Sequence, residues 1–274
     1  MSFTVSALYI YPVKSLGGFN VTEALVTARG FQHDRRWMLV DKDGKFITQR
    51  KLPVMALLQT AITTEGLFVY HKQTPEKNIS IPFLSSPAGI RKVQVWNDEC
   101  LAWRYEDDTI SDWFSEMLAM ECELVYMPDE TSRLVDTGYA KKQEITSFAD
   151  AFPFLIIGQS SLDELNAKLP EPLPMDRFRP NIVFTSGFPH EEDNWKHFTI
   201  NEIDFYGVKT CARCVITTID QQTSIPGREP LKTLASYRAV GNKVKFGMNL
   251  LHKGKGIIRT KDIIEIKDQS NLKT

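Results

Sequence analysis

The residues best suited to chemistry are two cysteines in the segment Cys211-Ala212-Arg213-Cys214. A guanidinium beside a thiol favours the thiolate, which is the form that ligates soft metals. A structural zinc site would need two further ligands, and Cys100 and Cys122 form no second pair of this spacing. The segment therefore indicates either a metal or redox role or two small buried side chains, since free cysteines are often simply part of a core.

The residues that follow decide whether both cysteines can reach one ligand. The run Val-Ile-Thr-Thr at 215–218 is β-branched, which predicts a strand over 211–219 instead of the helix that follows a thioredoxin-like pair. Side chains alternate along a strand, so Cys211 and Cys214 are expected on opposite faces. On that prediction only one of them can bind a given metal ion unless a turn intervenes.

Groups that could hold phosphate oxygens are scattered along the chain. Lys14 and Ser15 precede a glycine pair, although the spacing is not that of a P-loop. Arg35 and Arg179 each lie close to an aspartate in the sequence, and Asn181 can both donate and accept hydrogen bonds. An arginine fork suits phosphate, but each arginine could equally form a surface ion pair. Together, three separated basic sites suggest the binding of a phosphorylated ligand.

Composition limits the partners of the protein. The 274 residues include 33 Lys+Arg and 34 Asp+Glu, for a formal net charge of −1. No general field therefore attracts nucleic acid or a membrane surface, and a bound anion must be held by a few placed cations. Hydrolase, dinucleotide and paired-histidine motifs are missing from the sequence. With no signal-peptide pattern and no apolar run of bilayer length, we expect a cytoplasmic protein.

Periodicity predicts two β-rich units with a few helices between them. One helix is predicted over 109–120, with Thr109 or Ser111 as its cap, and the capping-box pattern at 161–164 predicts a second that ends near Leu169. The polar stretch at 128–144 is the best candidate for a domain boundary or a long crossing loop. Strands are predicted at 5–11, 36–40, 46–48, 57–64, 66–71, 92–96, 100–105, 154–157, 182–185, 198–200, 203–206, 208–210, 215–219, 244–247 and 263–266. Turn residues predict three hairpins among them, 36–40 with 46–48, 57–64 with 66–71 and 92–96 with 100–105.

Five motifs in order point to a family. They are Y-P-V-K-S at 11–15, D-R at 34–35, F-R-P-N at 178–181, E-D-N-W at 192–195 and C-A-R-C-V-I-T-T at 211–218. Together they resemble the MOSC proteins that carry a MOSC N-terminal β-barrel domain, among them the mitochondrial amidoxime reducing component and its bacterial homologues. The resemblance implies a mixed, mainly β fold with some α: a MOSC N-terminal β-barrel-like domain over 1–126, then a MOSC β-barrel domain with a few helices over 127–274.

The resemblance also implies a molybdenum cofactor, Mo-molybdopterin, held between the two domains. The family's metal-ligating cysteine maps to Cys214, which would be the catalytic residue. Ala151 and Phe152 lack hydroxyls that some relatives have after the position of Asp150. The contacts to the cofactor map to Lys14, Ser15, Arg35, Asp150, Arg179, Asn181, Arg213 and Asn249.

The activity implied is an oxidoreductase that reduces N-hydroxylated compounds (amidoximes, hydroxylamines, N-hydroxylated bases) by oxygen-atom abstraction at molybdenum. The chain shows no cysteine cluster for an intrinsic iron–sulfur cluster, so we expect a separate electron donor, a ferredoxin-like or cytochrome protein with a flavoprotein reductase. The alternative from the same family is a cofactor- or sulfur-carrier module for molybdenum cofactor sulfuration, with a persulfide on a cysteine. A third possibility is a metal-free β-rich binding protein.

Overall fold

A computed structural model describes residues 2–84, 87–140 and 142–269, and it is built mainly of β-strands. In the first half of the chain these are β1 (Phe3–Ile10), β2 (Phe19–Val21), β3 (Glu23–Thr27), β4 (Gly30–Phe31), β5 (Trp37–Val40), β6 (Leu58–Ile62), β7 (Gly66–His71), β8 (Thr74–Pro82), β9 (Gly89–Val95), β10 (Asp98–Arg104) and β11 (Glu123–Tyr126).

The second half continues with β12 (Arg133–Leu134), β13 (Ile145–Thr146), β14 (Phe154–Gly158), β15 (Ile182–Thr185), β16 (Trp195–Ile200), β17 (Ile203–Arg213), β18 (Ala239–Val240), β19 (Lys243–Lys253), β20 (Gly256–Arg259) and β21 (Ile263–Gln269). The α-helices of the described residues are α1 (Asp108–Leu118), α2 (Gln159–Asn166) and α3 (Leu231–Arg238). Short 3-10 helices occupy Pro53–Leu57, Met175–Phe178, Glu191–Asn194 and Val215–Thr218.

Seven strands close into a barrel in the order β14-β15-β1-β21-β16-β17-β19, with β19 pairing back onto β14. All neighbours are antiparallel except β14 and β15, which run parallel. Aromatic side chains, among them Phe154, Phe184 and Phe205, fill its core. Closure removes the exposed edges of the sheet and gives the barrel two ends where loops can form a site.

The N-terminal strand is part of this barrel. β1 pairs with β15 and β21, and β3 pairs with β20, so both ends of the chain contribute to one β structure. The mainly β fold predicted from the sequence is therefore confirmed. The predicted division at residue 126 stays a prediction, because strands from both sides of it share the barrel.

Two smaller sheets form the other part of the molecule, β5-β11-β10-β9 and β6-β7-β8. The predicted hairpins β6–β7 and β9–β10 are confirmed. The strand at 37–40 was expected to pair with 46–48, but β11 is its main partner and the expected pairing is a single bridge between Val40 and Phe46. Buried Trp37 and Leu39 of β5 pack in the same core as the apolar face of α1.

Both predicted helices exist with different first turns. Asp107, not Thr109 or Ser111, caps α1, because its carboxylate accepts the Thr109 N–H at 2.9 Å. Helix α2 begins two residues before the predicted capping box. Ser161 is buried inside its first turn and donates to the carboxylate of Glu192 at 3.1 Å. A local motif was therefore overridden by a tertiary hydrogen bond. No helix among the described residues is long and apolar enough to cross a membrane.

Candidate functional site

One cleft gathers all nine residues that the sequence analysis assigned to a site. Its lining comes from the segments that follow β1 and precede β14 and β15, from the last residues of β17 and from β19. The predicted residues that line it are Lys14, Ser15, Arg35, Asp150, Arg179, Asn181, Arg213, Cys214 and Asn249. Further lining residues include Arg177, Cys211 and Thr217. The cleft is thus assembled from six separate segments of the chain, although the role of each residue stays a prediction.

The strand predicted over 211–219 is wrong at its second half. β17 ends at Arg213, and Val215–Thr218 is a 3-10 helix that starts from Cys214. The Thr217 backbone N–H and hydroxyl both donate to the Cys214 carbonyl, at 3.1 and 3.0 Å. These hydrogen bonds stabilise a turn despite the high β propensity of the residues at 215–218. The backbone turn, with an irregularity in β17 between Thr210 and Ala212, lets both cysteines line the same cleft. The expectation of opposite faces does not hold.

Arg213 is held at the end of β17 by carbonyl groups. Its Nε donates to the Phe246 carbonyl at 2.9 Å and its Nη1 to the Phe178 carbonyl at 3.0 Å. Its Nη2 is buried and has no hydrogen-bond partner among the described residues. A buried donor without a partner lowers the stability of a protein. Because Nε and Nη1 are paired and Nη2 is not, the Arg213 guanidinium is suited to bind an anionic ligand through Nη2.

Arg35 and Asn181 connect two predicted motifs directly. Arg35 Nη1 donates to Asp34 Oδ2 at 2.5 Å and to Asn181 Oδ1 at 3.1 Å. The same Asn181 oxygen accepts the Leu155 N–H at 3.3 Å, while its amide nitrogen donates to the Tyr9 carbonyl at 3.3 Å. Asn181 therefore acts here mainly by fixing the loop of Arg35 against strands β1 and β14.

Arg179 lies beside Arg35 over one aromatic ring. Their guanidinium carbons are 4.3 and 4.5 Å from the centroid of the buried Tyr11 ring. Arg179 Nη1 donates to the Leu16 carbonyl at 2.6 Å. Burial and the neighbouring Arg35 charge lower the pKa of Arg179 to about 10. Two cations this close repel each other, so an anion bound between them would relieve the repulsion.

Lys14 and Asp150 form a short ion pair that also lines the cleft. Lys14 Nζ donates to Asp150 Oδ1 at 2.5 Å and to the Phe148 carbonyl at 2.8 Å, which leaves one N–H. Burial lowers the pKa of Lys14 to about 8, against the opposing effect of Asp150. Burial alone would raise the pKa of Asp150, but the Lys14 charge and hydrogen bond hold it well below its usual range. The pair is ionised at neutral pH.

Three of the predicted residues have a left-handed backbone. The φ angles are 69° at Ser15, 50° at Arg35 and 53° at Arg179. Such angles are uncommon outside glycine and, where the surrounding structure holds them, often mark binding sites. Asn249 is positioned differently, in the middle of β19, where its amide donates to the Lys209 carbonyl at 3.1 Å.

Arg177 is a cleft residue that the family motifs did not assign to the site. It lines the cleft, is 6% exposed, and its Nε and Nη1 have no partner among the described residues. Its one ion pair is to Asp220, at 3.6 Å. The sequence Arg177-Phe178-Arg179 indicates that Arg177 could join Arg179 in the site, because side chains two positions apart can share a face.

The E-D-N-W motif does not line the cleft. Glu192 is fully buried in a 3-10 helix, and its carboxylate accepts from Gly158 N at 3.2 Å and from the Ser161 hydroxyl at 3.1 Å. Burial raises the pKa of Glu192 to about 7 despite these hydrogen bonds. This part of the resemblance supports α2 and β14 and does not contact a ligand directly.

The lining as a whole favours an anion and a soft metal. The residues that line the cleft include five cations and a single carboxylate, that of Asp150. Among the described residues, no group of three His, Cys, Asp or Glu side chains could enclose a metal ion. A metal here would therefore take a thiolate from the chain and its remaining donors from a bound ligand.

Fold and cleft together define a class: a β-barrel protein with a cleft that is lined by cations and has a cysteine in its wall. Residues 2–121 match the MOSC N-terminal beta barrel domain and residues 143–265 match the MOSC domain. The chain is 30% identical over 288 residues to mitochondrial amidoxime-reducing component 1 of Mus musculus, with 97% of this chain and 83% of that protein covered. It belongs to the MOSC family and carries the MOSC N-terminal β-barrel domain.

Two further relatives show how broad the family is. Mitochondrial amidoxime reducing component 2 of Rattus norvegicus is 33% identical over 255 residues, with 88% of this chain and 74% of that protein covered. Molybdenum cofactor sulfurase of Oryza sativa subsp. japonica is 32% identical over 265 residues, which cover 90% of this chain and 32% of the sulfurase. The chain thus spans about a third of the sulfurase and most of the length of the amidoxime reducing components.

Proposed function

We propose that this protein binds the molybdenum cofactor in the cleft and reduces N-hydroxylated compounds such as amidoximes, hydroxylamines and N-hydroxylated bases. The observation that carries the proposal is the convergence of all nine predicted residues on one cleft. The match to amidoxime reducing components over 97% of the chain supports the same activity.

The residues fit a phosphorylated cofactor that carries a soft metal. Arg213 has an unpaired buried Nη2, and Arg177 has an unpaired buried Nε and Nη1. These donors match the acceptor oxygens of a phosphate or a polar pterin edge. Cys214, at the turn between β17 and the following 3-10 helix, supplies a sulfur ligand of the kind that soft metals prefer.

Each residue group has a distinct task in this proposal. When bound, the molybdenum supplies two-electron oxygen-atom-transfer chemistry. Arg35 and Arg179 hold the anionic part of the cofactor and lose their mutual repulsion in doing so. Lys14 places its remaining N–H in the same cleft, since Asp150 and the Phe148 carbonyl fix the amine. Cys214 orients and tunes the metal.

We further propose that electrons come from a separate protein, ferredoxin-like or a cytochrome with a flavoprotein reductase. Within the described residues the four cysteines comprise two buried ones, Cys100 and Cys122, and two in the cleft. Burial raises the pKa of the Cys100 and Cys122 thiols to about 11, which makes both poor thiolate ligands. An iron–sulfur cluster within these residues is therefore not part of the proposal.

The test is molybdenum content by mass spectrometry, on protein from a host that makes the cofactor. The wild type is compared with Cys214→Ala and, as a matched control from the same cleft, Cys211→Ala. We expect near-stoichiometric metal in the wild type and in Cys211→Ala, with loss in Cys214→Ala together with loss of benzamidoxime turnover. Metal and full activity in Cys214→Ala would refute the assignment of that residue.

A second candidate function is the carrier of cofactor or sulfur in molybdenum cofactor sulfuration. It is favoured by Cys211, which lines the same cleft as Cys214 and is only partly exposed. The 32% identity to the sulfurase supports it as well. Sulfane sulfur on either cysteine without turnover of N-hydroxylated compounds would identify the carrier, whereas turnover without sulfane sulfur would identify the reductase.

A further inference from the structure

A second groove lies beside the cleft and is built from the loop at 45–51 and the tip of the β9–β10 hairpin. Its volume is about 510 Å³. Three cations and two aromatic rings line it, and its lining includes no carboxylate. The lining residues are Lys45, Phe46, Thr48, Arg50, Lys51, Gln94, Trp96 and Asn97. Its composition is that of a site for a flat anionic ligand, and none of these residues belongs to the cleft.

The cations of this groove take part in no ion pair within the described residues, although the charge of Arg50 contributes to the low pKa of the nearby Asp150. Lys45, Arg50 and Lys51 form no ion pair with any carboxylate of the described residues. Arg50 instead lies over the indole of Trp96, with its guanidinium carbon 4.0 Å from the ring centroid. A stacked guanidinium keeps the N–H donors at its edge available, so Arg50 is held in place and still able to bind an anion.

Trp96 is exposed at the tip of the β9–β10 hairpin. It is the first residue of the two-residue turn between Val95 and Asp98, and a turn of this kind accounts for its φ of 58°. Its side chain is 41% exposed. Gln94 supports the turn by donating to the Trp96 carbonyl at 2.8 Å. The Phe46 ring meets the indole at 55°, with centroids 5.1 Å apart, and the two rings form an aromatic corner. An exposed indole held in this way is suited to stacking on a ligand.

The groove and the cleft share one wall. Trp96 Nε1 donates to Asp150 Oδ1 at 3.2 Å, and that same oxygen accepts from Lys14. Lys14 Nζ also lies 5.2 Å from the centroid of the Phe46 ring. A ligand against Trp96 therefore lies next to the ion pair of the cleft.

We propose that this groove binds a nucleotide-type ligand, with its base stacked on Trp96 and its phosphate on Arg50 and the neighbouring lysines. A flat ring can stack against the aromatic corner of Phe46 and Trp96, and a phosphate can bind the cations that form no ion pair within the described residues. Binding requires neither molybdenum nor an N–O bond, so the proposal stands apart from the reductase activity. If both are correct, the groove selects N-hydroxylated bases that carry a phosphate.

Isothermal titration of the full chain with cytidine monophosphate tests the proposal, with cytidine and inorganic phosphate as the separate halves. We expect the nucleotide to bind at least about ten-fold more tightly than either half. Trp96→Gly removes the ring and keeps a residue that readily adopts the left-handed backbone, so it should weaken nucleotide binding about ten-fold or more. Trp96→Phe keeps an aromatic ring and should retain most of the wild-type affinity. Arg50→Gln should lower the affinity for the nucleotide and leave the affinity for cytidine unchanged.

Lys42→Gln is the matched control, because Lys42 is an exposed cation of the preceding turn that does not line the groove. Its nucleotide affinity should equal that of the wild type. A Trp96→Gly protein that unfolds at the wild-type temperature and binds the nucleotide unchanged would overturn the proposal. So would phosphate alone binding as tightly as the nucleotide, which would reveal only a non-specific anion site.

Discussion

Two buried arginines, Arg133 and Arg177, differ in how many of their N–H groups donate hydrogen bonds within the described residues. Arg133 donates to the carbonyls of Ser147 and Ala149, at 2.9 and 2.6 Å, and to the carboxylate of Asp98. Arg177, equally buried, leaves its Nε and Nη1 unpaired. Since buried donors are paired in most proteins, we infer that the first arginine holds the fold together and that the second is available for a ligand.

The largest effect is expected from removing Arg133. Arg133→Met leaves the carbonyls of residues 147 and 149 without their donor, in a segment that leads directly to Asp150. We expect a loss of about 2–4 kcal/mol in the free energy of unfolding, because several buried acceptors lose a charged partner. Urea unfolding followed by circular dichroism measures it. A loss below about 1 kcal/mol would show that the paired arginine does not hold the fold together.

The next effect concerns Glu192, a buried carboxyl that the chain satisfies internally. Its pKa is raised to about 7 by burial, so the native state binds more protons than the unfolded state between the ordinary carboxyl pKa and pH 7. Stability from this group is therefore greatest at low pH and falls as the pH rises through that window. We expect Glu192→Gln to flatten this dependence and to stabilise the protein at pH 8 by about 1–3 kcal/mol.

Unfolding curves at pH 5 and pH 8 check this prediction. Glu202→Gln is the matched control, since Glu202 is an exposed carboxyl that undergoes the same change of side chain. If Glu192→Gln were as pH-dependent as the wild type, another group would carry the effect.

Much of the site could be predicted from the sequence, because its residues sit in motifs. Lys14, Arg35, Arg179 and Cys214 come from distant segments, and the order of those segments was enough to assign them to one site. The part that could not be predicted depends on three-dimensional pairing. The spacing of Arg177 and Arg179 suggests a shared face, but only the folded chain shows which N–H groups of Arg177 and Arg133 remain unpaired.

The fold shows the same division between local and tertiary information. Alternation and turn residues predicted the hairpins of β6–β7 and β9–β10. The turn after Cys214 was missed, because hydrogen bonds from Thr217 outweigh the β propensity of Val-Ile-Thr-Thr. The closure of β19 onto β14 is a long-range pairing that no local pattern contains.

A smaller effect is expected from the protonation of Lys14, a cleft cation with one N–H left for a ligand. Because burial lowers its pKa to about 8, the amine is charged at pH 7 and loses its proton as the pH rises through 8. Sulfate keeps a constant charge over this range, so its affinity should fall by up to about ten-fold between pH 7 and pH 9. Calorimetric titration measures the affinity, and Lys14→Met should bind weakly at both pH values.

The smallest effect on stability, and the sharpest test of the comparison, is expected from Arg177→Met. The substitution replaces a buried cation that has unpaired donors and one ion pair of 3.6 Å with an apolar chain of similar length. Burying a charge without full pairing is unfavourable, so the free energy of unfolding of the cofactor-free protein should stay within about 1 kcal/mol of the wild type or rise. The molybdenum content of protein from a cofactor-producing host should nevertheless fall. Arg133→Met is expected to lower the free energy of unfolding more than it lowers ligand affinity. Measured side by side, the two variants therefore distinguish an arginine that stabilises the fold from one that binds a ligand. Equal losses of stability would mean that both arginines serve the fold alone.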